Sequence, residues 1–168
     1  MQWIKRLLRK RALERLPWFS QCHVYYSDKG IIVCAVQANE STSWNVDRDP
    51  ISNLPLSVGA FEIGQAVMRS LEGSHDHLST TEAEAQYGSI PKKFGEPNWR
   101  QLEKNWDLIH VANQTQNQIE IHPTHRYRNG GWGSQTTDPI HHCLLNPSEI
   151  GQTLLKIIQG PPPEILHD

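Results

Sequence analysis

The sequence predicts an α+β fold: a mostly antiparallel central sheet with helices packed on it, built from two strand–strand–helix repeats, plus an N-terminal basic helix. Three observations predict it. First, Glu62-Ile63-Gly64-Gln65 returns as Glu149-Ile150-Gly151-Gln152, 87 residues later. Second, the likeness continues downstream through paired aliphatics (Val67, Met68 and Leu154, Leu155), a basic residue (Arg69, Lys156), another aliphatic (Leu71, Ile158) and a glycine (Gly73, Gly160). Third, the same offset carried upstream sets His23-Val24 on His110-Val111 and Ile32 on Ile119, in two hairpin-like stretches. Each half then reads as hairpin, long loop and helix, the signature of an internal repeat.

The elements follow in order. Residues 1–17 form a basic amphipathic helix: Ile4, Leu8 and Ala12 share a stripe with Trp3 and Leu7, and Pro17 ends it. The first repeat spans 22–73. Its hairpin joins 22–26 to 31–36 through Asp28-Lys29-Gly30, where glycine supplies positive φ. Residues 38–53 read as a polar loop with Trp44 as an anchor, and Leu54-Pro55-Leu56 as a short edge segment. A helix follows from about Ser57 to Leu71, capped by Ser57 or Gly59, with Ile63, Val67 and Leu71 as its buried stripe.

Residues 74–97 read as a linker loop, rich in Gly, Ser, Thr, His and Glu and without clear periodicity. The second repeat, 98–160, opens with a short helix at Trp99–Asn105 and continues through strands near 106–112 and 117–122. Gly130-Gly131-Trp132-Gly133 makes a tight turn with Trp132 packed over it, and an apolar strand ends at Leu145. Asn146 caps the second repeat helix, Pro147 takes its first position, and Ile150, Leu154 and Ile158 line its core side. Residues 161–168 are a tail.

The repeated glycine has a physical reading. Glycine inside a helix costs about 1 kcal/mol against alanine. Its presence in both copies implies that each helix approaches another backbone too closely for a methyl group.

A chain of 168 residues suits one domain and buries a core without staples. Three cysteines imply reduced thiols rather than a disulfide framework. No apolar run spans a bilayer, and basic residues interrupt the first 16 positions before a signal-peptide core forms, so a cytoplasmic location is expected. Net charge is −2 but uneven: six basic residues against Glu14 give residues 1–16 a charge of +5, leaving −7 on the remainder. An acidic body disfavours direct nucleic-acid binding and suits a basic protein partner. The N-terminal helix is read as packed on its own domain rather than on a membrane.

No catalytic constellation converges. His75-Asp76-His77, His122-Pro123-Thr124-His125 and His141-His142 lack the usual metal-ligand spacings, and adjacent strand residues face opposite ways. The Gly-rich turn is followed by no Lys-Ser/Thr pair, and Cys143 sits in an apolar strand. The motif glutamates suit the positive end of a helix. No metal, cofactor or enzymatic activity is therefore expected. The alternatives are a small metal-dependent hydrolase using the His-rich loops, or a lipid- or partner-docking adaptor using the basic helix.

The motifs resemble those of the immunity proteins of bacterial contact-dependent growth inhibition systems, the CdiI type. The matching residues are Glu62-Ile63-Gly64-Gln65 with Leu71, Pro97-Asn98-Trp99, Ile119-Glu120-Ile121-His122-Pro123, Gly130-Gly131-Trp132 and Glu149-Ile150-Gly151-Gln152. The resemblance spans about residues 22–160. The basic N-terminal helix lies outside the pattern, and the 73–97 stretch departs from it. The resemblance implies a non-enzymatic inhibitor that binds the C-terminal toxin domain of a large secreted effector, often a nuclease. With a basic toxin as partner, loop placement and charge single out Asp47, Asp49, Asp76, Glu82 and Glu84 as contacts, with Trp44 or Trp132 as anchor.

Overall fold

β1 (Ser20–Ser27) and β2 (Gly30–Ala38) form because Val, Ile, Tyr and Cys dominate both segments and a two-residue link joins them. Gly30 takes φ 150°, and a β-carbon there would lie 2.8 Å from the Leu54 carbonyl oxygen, so only glycine closes this turn. The computed structural model describes residues 20–38, 45–74, 79–115, 117–135 and 137–166. The helix expected over residues 1–17, Trp44 and Asp76 lie outside the described residues.

The second hairpin joins β4 (Asp107–Thr115) to β5 (Gln118–Pro123). With β3 (Asn45–Leu54) and β8 (His141–Leu144), these strands form a six-stranded sheet in the order β3-β2-β1-β4-β5-β8, antiparallel at every pairing. A small second sheet sets β6 (His125–Tyr127) between β7 (Trp132–Gly133) and β9 (Ile165–Leu166). Four helices complete the described residues: α1 (Ala60–Gly73), α2 (Thr80–Lys93), α3 (Trp99–Asn105) and α4 (Pro147–Ile158).

The repeat is visible as symmetry. β1 pairs with β4 so that His23 faces His110, its counterpart one repeat away. Each half fans outward from that pair, as β1-β2-β3 on one side and β4-β5-β8 on the other. Each half therefore contributes three strands and a helix to the large sheet, one strand more than the repeat predicts. The expected equivalence of Ile32 and Ile119 also needs correction. Ile31 and Val33 share the core layer with Ile119 and Ile121, whereas Ile32 faces the opposite side. The register shift between Asn113 and Thr115 inserts one residue into β4, so the offset becomes 88 along β5. A one-residue slip exchanges the two faces of a strand.

On one face of the sheet, α1 and α4 cover Cys22, Val24, Ile31, Val33, Ile109, Val111, Ile119 and Ile121. Ile63, Val67 and Leu71 of α1, with Ile150 and Leu154 of α4, supply the helical side of this core. The helices meet at their glycines. A β-carbon on Gly64 would overlap the Pro147 carbonyl, and one on Gly151 would overlap the Ala60 carbonyl. Pro147 and Ala60 are themselves one repeat apart, so the contact is reciprocal. The motif glutamate closes the start of α4: Asn146 accepts from the Ser148 and Glu149 amides, and the Glu149 carboxylate accepts from the Leu144 amide at 2.9 Å.

The other face carries a second core of Tyr25, Ile32, Cys34, Ile90, Phe94, Leu102, Trp106 and Leu108, covered by α2 and α3. Its rings interlock: Tyr25 sits edge-on to Phe94 (5.0 Å) and Trp132 (5.5 Å), and Tyr87 stacks on Trp99 at 4.3 Å. Glu96 clamps this layer to the first hairpin. It is 4% exposed, pairs with Lys29 at 2.6 Å and accepts from the Trp106 indole at 3.1 Å. The hydrogen bond from Lys29 holds its carboxyl below the usual range.

Two expectations are corrected here. Residues 74–97 are not a linker loop, because α2 occupies most of the segment. Ser79 and Glu82 form a reciprocal capping box, and Ile90 and Phe94 anchor the helix end in the second core. Residues 45–53 are not a polar loop but most of edge strand β3. Its register with β2 shifts so that Asp49 and Pro50 stand outside the ladder, where a residue without an amide hydrogen is tolerated.

Candidate binding surface

The charged residues expected to meet a partner are distributed very unequally. Asp47 lies inside the protein, 2% exposed, on the layer shared with Tyr25 and Cys34. Its carboxylate accepts from the Tyr25 hydroxyl at 2.5 Å, lies 2.5 Å from His23 Nδ1 and receives the Cys34 thiol at 3.5 Å. Burial pushes this carboxyl up, but the charge of His23 and the hydrogen bonds from His23, Tyr25 and Cys34 hold it below the usual range. Burial first, and Asp47 second, push Tyr25 and Cys34 well above their ordinary values. Asp47 is therefore corrected from a surface contact to an internal acceptor.

Asp49 is exposed on β3. It pairs with Lys93 of α2 at 3.2 Å, and its amide donates to Gln86 at 3.3 Å. Glu82 is exposed but engaged in the capping box, where hydrogen bonds from Ser79 hold its carboxyl low. Glu84 is exposed on the same helix. Asp49 thus lies on β3, and Glu82 and Glu84 lie two residues apart on α2, so the two glutamates leave the helix in different directions. Trp132 is half-buried: its indole donates to the Trp106 carbonyl at 2.9 Å and its ring abuts Tyr25. It packs against the second core, as the tight-turn reading expects, and stays partly exposed.

A polar row runs across the centre of the sheet. Cys34, His23, His110 and His122 are successive cross-strand neighbours on β2, β1, β4 and β5. The His23 and His110 rings meet edge to face at 4.4 Å. Burial, then the neighbouring His23, pushes His110 down to about 3. His122 reaches Glu120 at 3.3 Å, and a depression of about 210 Å³ opens above His110 and His122. Among the described residues, no three His, Cys, Asp or Glu side chains converge as a metal-ligand set.

A larger concavity, about 820 Å³, lies elsewhere. Arg100, Glu103 and Lys104 of α3 line it, together with Arg126 of β6 and Arg128. Arg126 Nε pairs with Asp107 at 2.8 Å, and its guanidinium donates to the Lys104 carbonyl, fixing the floor. Sequence reasoning missed this basic surface. Its signal was present as Arg and Lys four apart on a predicted helix and two arginines two apart near a strand. It also missed the His23, Tyr25 and Cys34 partners of Asp47, which only the sheet register brings together.

No protein-family model matches this chain, and no curated protein matches it. Solved structures do match in fold. One is a Neisseria meningitidis protein of unknown function, NMB0488: 17% identity, TM-score 0.63, covering 83% of this chain and 93% of that one. Another is a chain of the CdiA-CT/CdiI toxin and immunity complex from Yersinia pseudotuberculosis, at 16% identity and TM-score 0.62, covering 84% of this chain and 95% of that one. Among the described residues, no helix is long and apolar enough to cross a membrane.

Proposed function

We propose that this chain is an immunity protein that binds and neutralises the toxin domain of a contact-dependent growth inhibition effector. The observation that carries the reading is its fold-level match to a chain of a toxin and immunity complex, over most of both chains. The motif pattern that resembles CdiI-type proteins supports it independently. The titratable cluster of Asp47 with His23, Tyr25 and Cys34 is closed to solvent and engaged internally, which suits a binding protein better than a catalyst. On this reading the chain acts in the cytoplasm by occupying the toxin, a nuclease, and needs no cofactor.

The test is growth protection. The C-terminal domain of the effector encoded immediately upstream is induced in cells with and without this chain. Rescue of growth by the chain, with recovery of both proteins as one complex, is the expected result. Equal growth arrest with and without the chain overturns the proposal.

A further inference from the structure

The acidic residues first expected to meet the partner are largely committed: Asp47 is buried, Asp49 is paired with Lys93 and Glu82 caps α2. Positive charge gathers elsewhere, around one concavity. Ten of the sixteen Lys and Arg residues lie outside residues 1–16, and four of these ten line the 820 Å³ concavity, against one carboxylate, Glu103. Arg126 holds its floor. Arg100, Lys104 and Arg128 are exposed at its walls, and among the described residues none of the three has a carboxylate partner. Unpaired cations around a concavity raise the local concentration of a complementary anion and select against a like-charged one.

We infer that this concavity, between α3 and the β6–β7 turn, docks an acidic polypeptide segment of the toxin domain; the inference rests on the immunity reading. Three features favour polypeptide over a phosphodiester. Ile165, 60% exposed, shares the concavity with the cations and suits an apolar side chain flanking the acids. Tyr127 offers a poor platform for a base, because its ring is packed onto Gly133 so tightly that a β-carbon there would overlap it. The −7 charge outside residues 1–16 repels an extended polyanion at long range. A compact acidic segment on an otherwise basic toxin meets both the local and the overall field.

The test is isothermal titration of the full chain with the purified toxin domain encoded upstream, at low and moderate salt. Two variants of graded charge are compared with wild type, R100Q/K104Q/R128Q and R100E/K104E/R128E, each checked by thermal melting. The neutral variant is expected to bind at least about tenfold more weakly at low salt, the reversed variant more weakly still, and both with reduced salt dependence. Unchanged affinity in the neutral variant overturns the docking inference and leaves the immunity reading standing. No binding by wild type overturns both. A single-stranded RNA 20-mer titrated in parallel decides the other source of negative charge: salt-dependent RNA binding lost in the variants, with toxin affinity unchanged, assigns the concavity to nucleic acid and overturns the inference.

Discussion

Gly64 lies against the carbonyl of Pro147, the first residue of α4, with no room between them for a methyl group. Gly151 stands in the same relation to Ala60, the first residue of α1. The four residues form one reciprocal contact between helices 87 residues apart in sequence. Close packing of this kind turns a helix-weakening residue into a requirement of the crossing.

Gly64→Ala and Gly151→Ala are each expected to lower stability by about 1–3 kcal/mol, because the added methyl meets rigid backbone. The double variant should depart from additivity, since both methyls force the same two helices apart. Denaturant unfolding of the four proteins checks this. A rise in stability in either single variant contradicts the close-packing account.

Asp47→Ala strands the Tyr25 hydroxyl, the Cys34 thiol and His23 in the interior. Loss of one member of such a buried pair costs about 3–5 kcal/mol. Asp49→Ala, on the exposed side of the same strand, should change stability by less than about 1 kcal/mol. Chemical denaturation of both variants separates an internal acceptor from a surface acid; equal effects would refute the distinction.

Stability should fall on acidification before the carboxylates titrate. His110 is held down to about 3 in the fold, below an unfolded value of about 6.5. Between these values the unfolded chain takes up a proton that the folded chain refuses, so stability is lost as pH drops, by up to about 1.4 kcal/mol per unit. His23 and His122 are the histidines facing it, and Asp47 is the nearby acid. Asp47, whose carboxyl is held low, loses its contribution separately, as pH falls below about 3.9. Stability measured from pH 7 to 4 should show the histidine slope in wild type and a shallower one in His110→Gln. Equal slopes would remove His110 as its source.

The parts legible in the sequence were those written in period and repetition. Ile63, Val67 and Leu71 marked α1, Asn146-Pro147 marked the start of α4, and the repeated glycine announced a close approach to another backbone, which is that of the partner helix. The missed parts are held by tertiary partners. α2 has a weak apolar stripe, interrupted by Gly88 and Pro91, and only Ser79 and Glu82 signalled its start. β3 carries Asp47, Arg48, Pro50 and Asn53, so it reads as a loop until the buried partners of Asp47 and Arg48 are in place. The same polarity made Asp47 resemble a surface residue. Trp132 read both as packed over its turn and as an anchor, because nothing local shows that Trp106 and Tyr25 lie beneath it.

The claim that this chain works by occupying a toxin is tested most directly by titrating it into a fixed amount of the active toxin domain while following that domain's activity. The account predicts a linear loss of activity that ends when the two proteins are equimolar. Complete inactivation at a small fraction of one equivalent would mean turnover, and undiminished activity at excess would mean no inhibition; either result contradicts the account.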